Sequence, residues 1–236
     1  MWDILQNGHI NLKMKINHHN KPWHHLQVDN FLPPNRFAEI KTLAHYEYET
    51  YKRTGTNSVY TDHKGNDYTS RNKYTRFLTH DIIPETNQFF DMLPEHRGYE
   101  GELKKLVHWA ITPENYNYPI HIDNASRINT CTYYIWPEEE IGTILCQNPS
   151  RNDDGDHIKA DKDSDFEIEV EWKPNKLFVH NSIPNKTWHR YASKKERIVL
   201  SIFLVQPDLI KTNRNQRQFL LCLLYTSDAA DEGSSV

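Results

Sequence analysis

The 236-residue chain has only three cysteines, Cys131, Cys146 and Cys222. Their spacing matches no zinc motif, and their number is too small for a disulfide framework. The chain also lacks any apolar run of about 18 residues, the length that a transmembrane helix needs. Residues 1–24 lack the apolar core of a signal peptide. These absences argue against a disulfide-rich secreted domain and against a membrane protein, and they favour a reducing, cytoplasmic location.

Two common catalytic motifs are also missing. The sequence has no glycine-rich phosphate-binding loop and no nucleophile elbow, which argues against a P-loop nucleotide hydrolase and an α/β-hydrolase. Its net charge of -4 argues against a general nucleic-acid-binding surface, so we expect no nucleic-acid partner. The mean hydropathy of -0.83 is polar. However, 9 Phe, 6 Trp and 13 Tyr residues supply bulky material for a core.

The length and the absence of an obvious linker predict a single domain. We place this domain at residues 25–206, after a polar N-terminal segment at 1–24 and before a C-terminal extension at 207–221. Residues 222–236 resemble the translation of a sequencing adapter. We therefore expect this tail to be non-native, and no inference about fold or function uses it.

Helical patterns come first along the chain, and strand patterns follow. Proline opens a predicted helix from Pro34 to about Tyr51, and a short helix is predicted from Pro84 to Leu93. Alternating or continuous apolar runs then predict strands at 106–112, 128–136, 141–146, 166–172, 176–180 and 197–205. In the fourth run we expect Phe166, Ile168, Val170 and Trp172 to point inward. This order predicts an α+β fold, a two-sheet jelly-roll barrel with the N-terminal helices packed on one sheet.

Three residues could together bind a metal ion. Residues i and i+2 of a strand point to the same side, so His121 and Asp123 can reach one ion. His189 follows 68 residues later, after another strand-like run. Two histidines and one carboxylate that leave open coordination positions are typical of non-haem Fe(II) oxygenases. His180 also ends a strand and is a rival third ligand.

A buried arginine is predicted near this site. Arg197 begins the apolar run Arg197–Val205, where an unpaired charge would be costly. An arginine fork that binds a carboxylate would compensate that cost. Arg127, four residues after Asp123, could bind an acidic group of a substrate or form a salt bridge to a loop, and we favour substrate binding.

These motifs resemble those of Fe(II)- and 2-oxoglutarate-dependent oxygenases of the prolyl-hydroxylase type, including microbial and phage relatives. The similarity covers about residues 25–206 and rests on Val28–Pro34, Pro119–Asp123, Arg127–Trp136 and Trp172–Val205. The resemblance implies a double-stranded β-helix. It also implies that His121, Asp123 and His189 bind Fe(II), and that Arg197 binds the distal carboxylate of 2-oxoglutarate.

The chain departs from the family pattern at one anchor of this cosubstrate. Many relatives carry Ser or Thr two residues after the arginine, where this chain has Val199. Ser201 is the nearest hydroxyl on the same strand face, and the alternatives are Tyr118, Thr130, Thr132 and Tyr133.

The resemblance implies a dioxygenase that uses Fe(II), 2-oxoglutarate and O2. Such an enzyme would hydroxylate a C–H bond of a peptidyl or small-molecule substrate and release succinate and CO2. The alternative is a cupin-type metal-binding barrel, an isomerase or a sugar-binding protein without 2-oxoglutarate chemistry, in which Arg197 would form a structural ion pair. A nucleic-acid demethylase is disfavoured by the acidic net charge and by the lack of a second arginine soon after Arg197.

Overall fold

The computed structural model describes residues 13–54, 83–93, 103–123, 126–147, 151–152, 159–160, 166–183 and 186–206. Two helices lie in these ranges, α1 (Pro34–Thr54) and α2 (Ile83–Phe90). The strands are β1 (Lys15–His19), β2 (His25–Asp29), β3 (Lys104–Thr112), β4 (Asn117–His121), β5 (Arg127–Trp136), β6 (Thr143–Gln147), β7 (Arg151–Asn152), β8 (Lys159–Ala160), β9 (Phe166–Glu169), β10 (Leu177–Asn181), β11 (His189–Ala192) and β12 (Arg197–Val205).

The strands form two sheets. Within the described residues the larger sheet has the order β1-β2-β10-β5-β12-β3, and the smaller has the order β7-β8-β4-β11-β6-β9. Every pair of neighbouring strands is antiparallel. Antiparallel sheets with few helices agree with the predicted α+β class and with a jelly-roll-like architecture.

The helices cover one face of the larger sheet, as predicted. The apolar side of α1, with Ile40, Leu43 and Ala44, joins a core cluster that contains Trp109 and Leu200 of the sheet. Pro34 begins α1. Its missing N–H costs no hydrogen bond there, because the first N–H groups of a helix have no acceptor within the helix. Lys52 and Arg53 lie in the last turn, where a positive charge is favourable next to the helix dipole.

All nine residues of strand β12, in the larger sheet, are buried. It pairs with β3 on one side and with β5 on the other. Its helix-facing side contributes Ile198, Leu200, Ile202 and Leu204 to the core. The opposite side, from Arg197 through Ser201 to Phe203, faces a cavity. The functional residues therefore lie on a strand that is fixed on both edges.

Two sequence predictions about the fold differ from the structure. Lys15–His19, within the segment expected to precede the domain, forms the edge strand of the larger sheet. The polarity of this strand reflects its edge position, where three of its five residues are only half-buried and two are exposed. Phe166 was expected to point inward but is 50% exposed, because it pairs with the exposed Gln147 at the end of β6. Val170 and Trp172 are buried as expected.

Among the described residues, no helix has the length and apolar character that crossing a bilayer requires. The predictions for the C-terminal extension and for the tail at 222–236 lie outside the described residues.

Candidate metal and cosubstrate site

The predicted metal ligands lie together between the two sheets. His121 ends β4, Asp123 follows it, and His189 begins β11 directly opposite His121 in the strand register. The potential ligand atoms of all three residues lie within 4.8 Å of one another, and all three side chains are buried. This cross-strand pairing explains how residues 68 positions apart in sequence can share one ion.

Hydrogen bonds fix the orientation of both histidine rings. Nδ1 of His121 lies 3.0 Å from the carbonyl oxygen of Pro119, and Nδ1 of His189 lies 3.0 Å from that of Thr187. A carbonyl oxygen can only accept, so each Nδ1 carries the hydrogen and donates it. Nε2 is then the nitrogen with the lone pair that a metal binds. The two rings lie 4.3 Å apart between centroids.

The Asp123 carboxylate is held in its ionised form. Its Oδ1 accepts a hydrogen bond from Arg127 at 2.7 Å, and its Oδ2 accepts one from Thr130 at 2.5 Å and one from Ser182 at 3.3 Å. Burial acts to raise the pKa of Asp123, but the Arg127 guanidinium holds this pKa well below its ordinary value. An ionised carboxylate is the form that binds a cation.

His180, the rival third ligand, lies beside the site but outside the ligand cluster. Its Nε2 is 3.8 Å from Asp123 Oδ2, and its Nδ1 donates to the backbone oxygen of Asn181 at 2.9 Å. Burial lowers the pKa of His180 to about 3, so the ring is neutral. The structure therefore favours His189, and His180 packs against the His189 ring at 4.9 Å.

Arg197 is buried in the same cavity and is only 3% exposed. Its NH1 group donates to the backbone oxygen of Ile141 at 3.0 Å, and its Nε donates to Thr112 at 3.4 Å. Within the described part of the chain, no carboxylate lies at ion-pair distance from it. Glu140 is nearby, but its oxygens accept backbone hydrogen bonds from Ile141, Lys194 and Lys195. Burial lowers the pKa of Arg197, as expected for a desolvated cation.

One cavity of about 210 Å³ contains both the metal-ligand cluster and Arg197. Thr112, Thr143 and Tyr191 line it near Arg197, and the Tyr191 ring lies 4.7 Å from the Arg197 guanidinium carbon. The sequence analysis did not single out these three residues. Their proximity depends on strand pairing, such as that of Thr112 with Arg197 and of Tyr191 with Thr143, and a single sequence carries no signal for it.

The hydroxyl residues proposed as the second 2-oxoglutarate anchor do not all face the cavity. Thr130 lines the cavity, but its hydroxyl binds Asp123, and Ser201 lines the cavity with 9% of its surface exposed. Tyr133 requires a correction, because it points to the opposite face of β5. There it packs edge-on against Phe31 and donates to Asn175 at 2.8 Å. The period of two along a strand separates Tyr133 from its cavity-facing neighbour Thr132.

Comparisons with known proteins found similar structures but no similar sequence family. No family model and no curated protein matches the chain. Among solved structures, the fold is similar to a prolyl 4-hydroxylase from Phytophthora capsici, with 15% identity, a TM-score of 0.50 and coverage of 85% of this chain and 68% of the other. It is also similar to the epimerase SnoN, which was solved in complex with Fe3+, alpha-ketoglutarate and nogalamycin RO. This match has 14% identity and a TM-score of 0.50, and it covers 77% of this chain and 78% of the other.

A prolyl-4-hydroxylase from Pseudomonas putida matches with 18% identity, a TM-score of 0.48 and coverage of 77% of this chain and 88% of the other. At 14–15% identity, the two matches with a TM-score of 0.50 show similarity of fold alone.

Proposed function

We propose that this protein is an Fe(II)- and 2-oxoglutarate-dependent dioxygenase with a double-stranded β-helix core. It hydroxylates a C–H bond of a peptidyl or small-molecule substrate and releases succinate and CO2. One observation carries the proposal: a two-histidine, one-carboxylate cluster and a buried arginine without a carboxylate partner among the described residues share one cavity.

The residues present fit a ferrous ion. Two imidazoles with oriented Nε2 atoms and one carboxylate are a donor set that suits non-haem iron and leaves coordination positions open. When bound, the iron together with 2-oxoglutarate and O2 supplies the oxidising power that breaks the C–H bond. The chain itself holds the ligands in one geometry and keeps the Asp123 carboxylate ionised through Arg127, Thr130 and Ser182.

The residues also fit a dicarboxylate cosubstrate. A buried guanidinium without a counter-ion is costly, and a carboxylate of the ligand would supply that counter-ion. Thr112 takes the role of the second anchor in this proposal. It stands beside Arg197 on β3, whereas the usual Ser or Thr position two residues along β12 is the apolar Val199. Val199 and Ala110 give this part of the cavity an apolar wall that limits water around the cosubstrate.

Anaerobic titration of Fe(II) and 2-oxoglutarate tests the proposal. We expect a weak visible charge-transfer band that appears only when both are present and that is lost in Arg197→Ala. The matched control is Arg36→Ala, which removes a half-buried arginine from α1 that does not line the cavity. If the folded protein binds metal but never shows the band, the proposal fails, and a cupin-type barrel without 2-oxoglutarate becomes the better account.

A further inference from the structure

A second positively charged residue, Arg127, lines the cavity. Arg127 pairs in register with Val205 at the far end of β12, and its guanidinium lies 3.8 Å from the centre of the Phe203 ring. Phe203 is six residues from Arg197, which corresponds to roughly 20 Å along an extended strand. In the proposed function Arg197 binds the far carboxylate of 2-oxoglutarate, whereas Arg127 contacts the metal ligand Asp123. Arg127 is therefore available to a second ligand that enters the cavity beside the metal ligands.

Arg127 has hydrogen-bonding capacity to spare. Its NH1 group donates to Asp123 Oδ1, which uses one edge of the guanidinium, and the group has five N–H donors in total. Within the described ranges no other hydrogen bond of Arg127 occurs. Its side chain is 24% exposed, so a molecule that enters the cavity can reach it.

The charges lining the cavity are unbalanced. Among the described residues that line it, Asp123 is the only carboxylate, whereas Arg127 and Arg197 are both cations. A divalent metal and a doubly negative cosubstrate cancel each other, so one positive charge remains. An anionic group on the substrate would neutralise that charge.

A row of polar side chains crosses the cavity wall between the two arginines. Ser201 pairs in register with His108 on one side and with Thr132 on the other, and all three line the cavity. In the described part of the chain, neither the Ser201 nor the Thr132 hydroxyl has a hydrogen-bond partner. Buried hydroxyls normally have one, so these groups are available to polar atoms of a ligand.

We propose that Arg127, with Phe203 beneath its guanidinium and His108 beside it, binds a carboxylate of the substrate, and that the substrate is a small carboxylic acid. The cavity volume of about 210 Å³ lies below the roughly 300–1,000 Å³ of pockets that hold drug-sized ligands, and the cosubstrate shares it, which favours a small substrate. This inference rests on the proposed function for the identity of the reaction. The binding of the acid is a separate property of the cavity.

A binding panel tests the inference on the full chain loaded with Zn(II), a redox-inert substitute for iron. The probes are small carboxylic acids (the twenty L-amino acids, short fatty acids and hydroxy acids), each compared with its primary amide, with and without 2-oxoglutarate. We expect at least one acid to bind ten-fold or more tightly than its amide. Arg127→Met should reduce this preference to two-fold or less, and Arg127→Lys should keep part of it. The control Arg36→Met, at a half-buried site outside the cavity, should keep all of it.

Two results would overturn the inference. One is that no acid binds better than its amide. The other is that Arg127→Met weakens an acid and its amide equally, which would mean that Arg127 only orients Asp123. Titration of 2-oxoglutarate into the same samples separates the two proposals. If 2-oxoglutarate binds normally but no acid is preferred, the proposed substrate class is wrong and the proposed oxygenase function stands. If an acid binds through Arg127 but 2-oxoglutarate does not bind, the oxygenase function is wrong and the acid-binding site stands.

Discussion

Thr112 lies directly opposite Arg197 in the pairing of β3 with β12, and its hydroxyl oxygen accepts a hydrogen bond from Arg197 Nε at 3.4 Å. A hydroxyl in this position can orient the guanidinium and can donate its own hydrogen to a carboxylate that the arginine binds. The neighbouring strand thus offers the polar group that Val199 does not.

Thr112→Val should weaken the binding of 2-oxoglutarate to the metal-loaded protein about five-fold. The reason is the loss of one hydrogen bond worth about 1 kcal/mol. Thr112→Ser should bind nearly normally, because it keeps the hydroxyl. Calorimetric titration with Zn(II)-loaded protein measures both. Thr42→Val, on the exposed side of α1, is the control. Equal affinities for wild type and Thr112→Val would assign the second anchor elsewhere.

Loss of a metal ligand should remove metal binding and leave the fold intact. His121→Ala and Asp123→Asn delete one ligand each, and the two sheets remain closed by strand pairs far from the site. Removal of a group that merely orients a ligand costs 10–100-fold in metal affinity, so loss of a ligand should cost at least about 100-fold. Metal titration under anaerobic conditions measures the affinity, and circular dichroism checks the fold. Succinate production retained by His121→Ala would contradict the assignment.

Thr130→Val should weaken metal binding without abolishing it. Thr130 donates to Asp123 Oδ2 at 2.5 Å, and Arg127 and Ser182 still hold the carboxylate when this bond is lost. We expect about a ten-fold lower metal affinity, at the small end of the range for groups that orient a ligand. Thr132→Val is the matched control, one step along the same face of β5 and without a contact to Asp123 among the described hydrogen bonds. Equal losses in the two variants would argue against an orienting role for Thr130.

Much of the fold was predictable, because it depends on local patterns. All nine residues of β12 are buried and seven of them are apolar, and α1 begins at the predicted proline. His121 and Asp123 share a strand face by the period of two, so their joint orientation follows from their spacing.

The parts that were not predictable depend on pairing between distant segments. Nothing near Thr112 in sequence indicates that it lies opposite Arg197. The wrong expectation for Tyr133 has the same origin: the spacing separates Tyr133 from Thr132, but only the packing shows which of the two faces the cavity. Phe166 alternates as an inward residue would, yet its strand lies at the edge of the smaller sheet.

Gly142→Ala should destabilise the protein by about 2–4 kcal/mol. A Cβ added at Gly142 would lie 1.7 Å from the backbone oxygen of Val170, and a backbone atom cannot move aside as a side chain can. Urea denaturation measures the loss. The preceding Ile141 carbonyl accepts from Arg197, so binding of 2-oxoglutarate should weaken in the same variant. A variant as stable as wild type would show that the two segments separate at little cost.

His25 should make the protein less stable in mild acid. Burial lowers its pKa to about 4 from an ordinary value near 6.5, and its Nδ1 donates to the Trp23 carbonyl. Between these two values the unfolded chain binds a proton that the folded chain does not. The free energy of unfolding therefore falls as the pH drops from 6.5 towards 4, by up to about 3 kcal/mol from this residue.

His25→Phe keeps a ring among the aromatic side chains of Trp23 and Phe178 and cannot be protonated. At pH 7 the variant should be less stable than wild type, because the hydrogen bond to the Trp23 carbonyl is lost. This deficit should shrink or reverse as the pH approaches 4. Urea denaturation of both proteins from pH 7.5 to 4, in the presence of a metal chelator, measures the difference in the free energy of unfolding. The control is His18→Phe, a substitution at an exposed histidine of the same hairpin. Parallel curves for His25→Phe and wild type would mean that His25 is protonated in the folded protein as readily as in the unfolded chain.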